Sequence, residues 1–200
     1  MKSLSLSKPH VIVMTGLPGS GKSFFAEKFA ETFNAPFVSQ VRMQNVSNAD
    51  PETVERLINY QLDELFKTKQ SIVFDGHTET RAERTELSQK AQKAGYKTLL
   101  VWIQTDSATS RNRATKNYKD RTSPAITNDE YDARVKRFSA PDPLEAPIVI
   151  SGKHTYASQA KVVLKRLSAP RAAETSRKTP EPPTRPSSPD RPARRTITIR

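Results

Sequence analysis

Short apolar runs alternate along this chain with longer segments whose apolar residues recur at helical spacing. Five runs predict strands: Val11–Met14, Pro36–Ser39, Ser71–Phe74, Lys97–Ile103 and Pro147–Ile150. Within most of them the apolar positions are continuous rather than alternating, which is typical of strands buried on both faces of a parallel sheet. The pattern therefore predicts an α/β fold of three layers, in which helices cover both faces of the sheet.

Helical segments follow the apolar runs. A Phe- and Ala-rich face begins at Lys22, and a second helix begins after Asp50, which can cap it, with Pro51 at the first helical position. The predicted helices are Lys22–Phe33, one starting at Pro51, Arg81–Ala94, a segment from Ser107 towards Tyr118, Asn128–Phe138 and Tyr156–Leu167.

The composition changes near the end of the chain. Residues 169–200 contain seven prolines and no aromatic residue. Such a segment cannot bury enough apolar surface to offset its ordering entropy, so we expect a disordered tail after a single domain over residues 1–168. A passive solubilising role is the first expectation for the tail. Weak binding of nucleic acid through its arginines, or of a protein through its prolines, is the alternative.

Charge, cysteine content and hydropathy narrow the class of protein. The formal net charge of the 200 residues is +12, of which the tail carries +5. A basic domain suits an anionic substrate such as a nucleotide, a phosphorylated metabolite or a nucleic acid, and equally suits plain solubility. The chain has no cysteine, which excludes disulfides and thiolate metal sites. With neither a signal peptide nor an apolar stretch of about 18 residues, we expect a cytoplasmic protein without a membrane partner.

The strongest chemical signal is Gly-Leu-Pro-Gly-Ser-Gly-Lys-Ser at residues 16–23, which fits the phosphate-binding loop pattern. Glycines allow successive backbone N–H groups to point at phosphate oxygens, and the helix that follows directs its positive end at the same anion. Lys22 supplies a cation for the β- and γ-phosphates, and the Ser23 hydroxyl is a candidate Mg²⁺ ligand. The candidate nucleotide-binding residues are Gly16, Leu17, Pro18, Gly19, Ser20, Gly21, Lys22 and Ser23.

A second candidate Mg²⁺ ligand is Asp75, which closes the apolar run Ile72-Val73-Phe74. Proteins with this loop use an Asp at such a strand end to hold Mg²⁺ and its waters. A turn or helix-capping Asp is the alternative, since Gly76 follows. For the neighbouring His77, a structural or merely exposed position is favoured over a catalytic one.

Cations that could meet the charge on a moving phosphate are crowded between the fourth strand and a later helix. The segment contains Arg111, Arg113, Lys116, Lys119 and Arg121. We interpret it as a mobile lid, with Arg111 and Arg121 as the candidate contacts to the transferring group. The alternative is a solvated basic face.

Together these features resemble the P-loop kinases of the polynucleotide kinase and zeta-toxin type, whose nucleotide-binding part is an AAA-type ATP-binding domain. The resemblance covers about residues 10–167. Besides the phosphate loop, the matching parts are Phe74–Thr78, Arg81, Ala94–Tyr96, Asp106, Arg111-Asn112, Pro124–Glu130 and Phe138–Glu145.

The resemblance implies a five-stranded parallel sheet, Mg-ATP, and transfer of the γ-phosphate to a hydroxyl of a small molecule, a nucleotide or a nucleic-acid end. It also implies an acceptor-side Asp after the second strand and an Arg three positions later. Arg42 is that Arg and would orient the acceptor, but the Asp position is Ser39, with Gln40 beside it. Serine is not a useful base at neutral pH. Either Asp75 or Asp50 takes the proton, or the protein phosphorylates poorly or not at all.

Three functional hypotheses follow. The first is an ATP-dependent phosphotransferase with Lys22, Asp75, Arg42, Arg111 and Arg121 as its catalytic residues. The second is a non-catalytic nucleotide-binding or regulatory module that lacks the acceptor-side Asp. A P-loop hydrolase acting on a partner is the third and least favoured. The chain has no guanine-reading Asn-Lys-x-Asp motif, which favours ATP over GTP.

Overall fold

The computed structural model describes residues 8–116 and 124–168. The predicted disordered tail, residues 169–200, lies outside the described residues, and so do Lys119 and Arg121. The tail and its boundary at residue 168 therefore stay predictions. None of the described helices is long and apolar enough to cross a membrane.

Strands and helices alternate along the described residues. The strands are β1 (His10–Thr15), β2 (Phe37–Ser39), β3 (Ile72–Asp75), β4 (Lys97–Gln104) and β5 (Ile148–Ser151). The α-helices are α1 (Lys22–Phe33), α2 (Gln40–Ser47), α3 (Pro51–Thr68), α4 (Arg81–Lys93), α5 (Ser107–Thr115), α6 (Asn128–Arg137) and α7 (Tyr156–Ser168), and a 3₁₀ turn spans Pro143–Glu145.

The five strands form one parallel sheet in the order β2-β3-β1-β4-β5. This confirms the predicted α/β fold with a five-stranded parallel sheet. Because all strands run the same way, their carboxyl ends meet at one edge of the sheet. Thr15 ends the central strand at that edge, and Ser39 at the end of β2 pairs with Asp75 at the end of β3.

The core lies on both faces of the sheet. In β1, Ile12 and Met14 face a cluster that includes residues of α1 and α7, whereas Val11 and Val13 face a cluster that includes residues of α3 and α4. Alternate residues of β1 thus enter different cores, and every one of them is buried. This explains why the strand is a continuous apolar run, and it confirms the three-layer arrangement.

Helix α2 was not among the predicted elements. It has no buried residue, so its sequence carries no apolar face from which a helical period could be recognised. Its N-terminus is instead set by Ser39, whose side chain accepts a hydrogen bond from the Arg42 N–H at 3.4 Å. The cap, rather than hydrophobic periodicity, marks the start of this helix.

Candidate functional site

The loop between β1 and α1 follows a path that only glycine allows at two positions. Gly16 and Gly19 have φ of 143° and 76°. A Cβ at Gly16 would lie 2.4 Å from the Ile103 carbonyl oxygen, and one at Gly19 would lie 2.1 Å from that of Ser110. The loop therefore packs directly on the backbone of β4 and α5, and no side chain fits between them.

Segments that follow β4 and β5 support the loop from behind. Thr105 Oγ1 donates to the Ser20 carbonyl at 3.0 Å, and the Gly152 backbone approaches that carbonyl so closely that a Cβ would lie 2.0 Å from it. Arg113 Nη1 donates to the Gly152 carbonyl at 3.0 Å. Arg113 thus belongs to the support of the loop.

Lys22, the first residue of α1, turns its ammonium back over the loop. Its Nζ donates to the carbonyls of Gly16 at 2.8 Å and Leu17 at 2.9 Å. Burial lowers the pKa of Lys22, and the negative charge of Asp75, followed by that of Glu79, opposes this shift. The ammonium and the Asp75 carboxylate are therefore near enough for each to act on the other.

Asp75 is buried at the end of β3, with 5% of its surface exposed. Burial raises its pKa, while the charge of Lys22 and a hydrogen bond with the Ser23 side chain act in the opposite direction. Its Oδ2 has no hydrogen-bond partner among the described residues. Buried carboxylate oxygens are seldom left without a partner, and carboxylate and hydroxyl oxygens are the ligands that Mg²⁺ prefers. Ser23 and Asp75 therefore fit a magnesium ion.

The part of this sheet edge that the sequence predicts to be the acceptor side is formed by the ends of β2 and β3. There Ser39 caps α2, and Gln40 Nε2 lies 2.6 Å from His77 Nε2. The Arg42 guanidinium is paired with Glu27 of α1 and lies 5.0 Å from the Phe37 ring.

Asp50, considered above as an alternative base, caps α3 and accepts a hydrogen bond from the Thr53 N–H at 3.0 Å. Its carboxylate is thus engaged in holding the start of that helix.

Arg111 takes part in the contact between α5 and α6. Its guanidinium forms a bidentate pair with Asp132, with 3.1 Å between Nη1 and Oδ2, and lies 4.6 Å from the Tyr131 ring. Hydrogen bonding to Arg111 lowers the pKa of Asp132. Tyr131 is fully buried, and its hydroxyl lies 2.6 Å from Ser110 Oγ. Arg111 and Arg113, which the sequence presents in one group of cations, thus have separate partners.

Two further residues were missed from the sequence. Arg134 of α6 lies near enough to Lys22 for its charge to lower the lysine pKa further. Arg84 of α4 is buried and pairs with Glu145. From the sequence, Glu145 was recognised only as the last residue of the Phe138–Glu145 stretch. No local signal in the sequence connects these two residues.

Comparisons with known proteins agree with this geometry. The family model described as AAA domain matches residues 11–141, more than half of the chain. No curated protein sequence matches the chain.

Solved structures share the fold at low identity. A gluconokinase from Sinorhizobium meliloti 1021 is similar at a TM-score of 0.57 and 17% identity, over 80% of this chain and 91% of its own. Chaetomium thermophilum Kti12, solved with ADP-AlF3, has a TM-score of 0.61 and 17% identity over 78% of this chain and 96% of its own. The Mycobacterium tuberculosis APS kinase CysC, solved with AMPPNP and APS, has a TM-score of 0.57 and 14% identity over 81% of this chain and 99% of its own. The chain therefore shares the fold of these three structures.

Proposed function

This chain belongs to the AAA domain family, and from that premise we propose that it binds Mg-ATP and transfers the γ-phosphate to a hydroxyl. The acceptor would be a small molecule, a nucleotide or a nucleic-acid end. The observation that carries the proposal is the meeting of Lys22, Ser23 and Asp75 at the start of α1. We further propose a cytoplasmic location, where ATP is available.

Nucleotide binding is implied by the P-loop kinase fold itself. The backbone N–H groups of the loop and the N-terminus of α1 would hold the phosphates of ATP. Lys22 now donates to two neutral carbonyls, and a phosphate oxygen is a stronger partner for an ammonium because the hydrogen bond is charge-assisted. We therefore expect Lys22 to exchange these carbonyls for the β- and γ-phosphates.

Magnesium belongs to this proposal. Ser23 and Asp75 would hold the ion, which when bound neutralises charge on the β- and γ-phosphates. The unpartnered Oδ2 of Asp75 supports this assignment.

Transfer requires cations around the moving phosphate and a place for the acceptor proton. Arg134 and Arg111 are the described candidates for the cations, and Arg121 stays a prediction outside the described residues. Arg42 would orient the acceptor. The Ser39 hydroxyl caps α2 and is not a useful base at neutral pH. The acceptor proton would therefore pass to Asp75 or to the substrate itself.

The proposal is tested by measuring ATP consumption with a panel of hydroxylated acceptors, such as sugars, nucleosides and RNA with 5′-hydroxyl ends. We expect turnover with at least one acceptor class and its loss in Lys22→Ala. Equal turnover in the two proteins, with folding verified by thermal melting, would contradict the proposal.

A second candidate function is a nucleotide-binding module without catalysis. It is favoured by the acceptor side, where Ser39 caps α2 and Arg42 is paired with Glu27. Asp and Asn both cap helices well, so Ser39→Asp and Ser39→Asn should both preserve α2. A capping Asp at position 39 uses one carboxylate oxygen for the Arg42 N–H and keeps the other as a base, unlike Asp50, whose two oxygens both accept from Thr53. A wild type that binds ATP without turnover, with turnover appearing in Ser39→Asp alone, would select this function.

A further inference from the structure

The buried Arg84 of α4 forms an ion pair with the half-buried Glu145, which ends the 3₁₀ turn before β5. The Arg84 side chain is 3% exposed and forms two bonds with Glu145, with 2.7 Å between Nε and Oε2 and 2.9 Å between Nη2 and Oε1. Its Nη1 also donates to the carbonyls of Thr78 at 3.1 Å, Glu79 at 3.3 Å and Ser139 at 3.0 Å. One side chain of α4 thus joins the turn after β3 to the segment between α6 and β5.

The Thr78 carbonyl held by Arg84 is also bonded to the strand that leads into the phosphate loop. Thr15 Oγ1 donates to it at 2.8 Å, and Thr78 Oγ1 donates in return to the Met14 carbonyl at 2.6 Å. Both threonines are almost fully buried. Thr15 directly precedes Gly16, and Thr78 follows Asp75 by three residues. The two hydroxyls therefore connect the phosphate loop with the turn that begins at Asp75.

These bonds are strong enough to fix the geometry. The hydrogen bond from Arg84 lowers the pKa of Glu145, so its carboxylate is ionised at neutral pH. A bidentate, charged pair is stronger than a neutral hydrogen bond and holds both partners in one orientation. None of the five acceptor atoms of Arg84 belongs to α4, so the guanidinium fixes the segments around it more than its own helix.

We propose that Arg84 is a positioning residue for the Mg-nucleotide site. Through Thr78 and Thr15 it holds Asp75 at a constant distance from the phosphate loop, so that both meet the metal-bound phosphates together. Arg84 touches neither the loop nor Asp75, and its effect passes through the Thr78 turn. The inference rests on the proposed function, because it assumes that Asp75 and the loop bind one ligand.

The test compares ATP affinity in magnesium with ATP affinity in EDTA, by isothermal titration calorimetry. Arg84→Lys keeps the charge but cannot reach all five acceptors. Thr15→Val removes the hydroxyl that donates to the Thr78 carbonyl with little change in side-chain shape, whereas Thr15→Ser keeps a hydroxyl at that position. Arg81→Ala is the matched control, because Arg81 also lies in the first turn of α4 but pairs with Asp142 at 3.8 Å on the surface.

The ratio of ATP affinity in magnesium to ATP affinity in EDTA measures the affinity gained from magnesium. We expect this ratio to fall about tenfold in Arg84→Lys and Thr15→Val and to keep the wild-type value in Thr15→Ser and Arg81→Ala. Thermal melting of each variant reports stability separately. An unchanged magnesium ratio in a folded Thr15→Val protein, whatever its melting temperature, would overturn the positioning role alone. A wild type that binds no ATP would overturn the proposed function and this inference with it.

Discussion

The proposed site has two parts at the same edge of one sheet, a donor side formed by the phosphate loop, Lys22 and Asp75 and an acceptor side formed by the ends of β2 and β3. The two sides differ in how their polar groups are satisfied. On the donor side the Asp75 carboxylate is buried and keeps one oxygen without a partner among the described residues. On the acceptor side Ser39 caps a helix, Gln40 contacts His77, and Arg42 pairs with Glu27. The donor side is therefore arranged to receive a ligand, whereas the acceptor side must exchange existing partners before it binds one.

The ion pairs of Arg42 on the acceptor side and of Arg111 between α5 and α6 can be exchanged for other partners at little energetic cost. The Arg42 and Arg111 side chains are 47% and 38% exposed. Ion pairs this exposed stabilise the fold little, since water screens them and both side chains lose entropy. A substrate phosphate could therefore take over either guanidinium at little cost. The comparison teaches that, under the proposed function, binding of ATP and transfer of its phosphate would depend on separate sets of contacts.

The largest effect is expected at Gly19, where the phosphate loop leaves no space for a side chain. Gly19→Ala places a Cβ 2.1 Å from the Ser110 carbonyl and 2.9 Å from the Ala114 nitrogen, whereas a Cβ at Gly21 meets nothing within 4 Å. Both glycines have positive φ, so both variants carry a backbone cost of about 1–2 kcal/mol. Only Gly19→Ala adds a clash, so we expect it to abolish ATP binding or folding.

Thermal melting and ATP titration of the two glycine variants measure this difference. We expect Gly21→Ala to remain folded. Equal losses in the two variants would mean that the loop does not pack on α5 as described.

The next largest effect concerns the ion pair that supports the donor side. Arg84 is buried and Glu145 half-buried, so Glu145→Gln leaves a buried guanidinium without its counter-charge and should lower the free energy of unfolding by about 2 kcal/mol at pH 7. The pKa of Glu145 is held below its ordinary 4.5 by Arg84. Its contribution is therefore present above pH 4.5 and is lost as the pH falls through the lowered pKa of the folded state.

Chemical denaturation of wild type and Glu145→Gln between pH 7 and pH 3 tests this linkage. The two unfolding free energies should converge on the acid side. Curves that stay parallel across the range would show that the carboxylate charge does not stabilise the fold.

The smallest of these effects concerns the cation that α6 brings towards the phosphate loop. The charge of Arg134 helps to lower the pKa of Lys22, whereas the charge of Lys136 on the same helix helps to lower the pKa of Asp132. If Arg134 meets the transferring phosphate, Arg134→Ala should reduce turnover about tenfold, which is ~1.4 kcal/mol in activation free energy. Turnover of Lys136→Ala should stay near the wild-type value. Steady-state kinetics with the best acceptor provides the measurement. A similar loss in both variants would indicate a general effect of positive charge.

Much of the donor side could be predicted from the sequence because its information is local. The apolar run of β1, the glycines of the loop and the helix that starts at Lys22 are neighbours in the chain. The five parallel strands were also predicted, since each is a compact apolar run. Local patterns of this kind need no knowledge of distant contacts.

The remaining features depend on contacts between distant residues. Arg84 and Glu145 are 61 positions apart, and Arg111 and Asp132 are 21 apart, so no periodicity connects them. Helix α2 was missed because none of its residues is buried. The role of Ser39 as its cap could have been predicted, since Ser is a preferred residue at that position.

The central claim is that Lys22 and its loop bind the phosphates of ATP, and isothermal titration of Mg-ATP tests it most directly. The comparison is between Lys22→Ala and Lys28→Ala, which removes an exposed lysine of the same helix that lies 4.9 Å from the Phe24 ring. Loss of charge-assisted hydrogen bonds to phosphate predicts an affinity about 100-fold lower for Lys22→Ala and unchanged for Lys28→Ala. Equal affinities of both variants and the wild type would contradict the account.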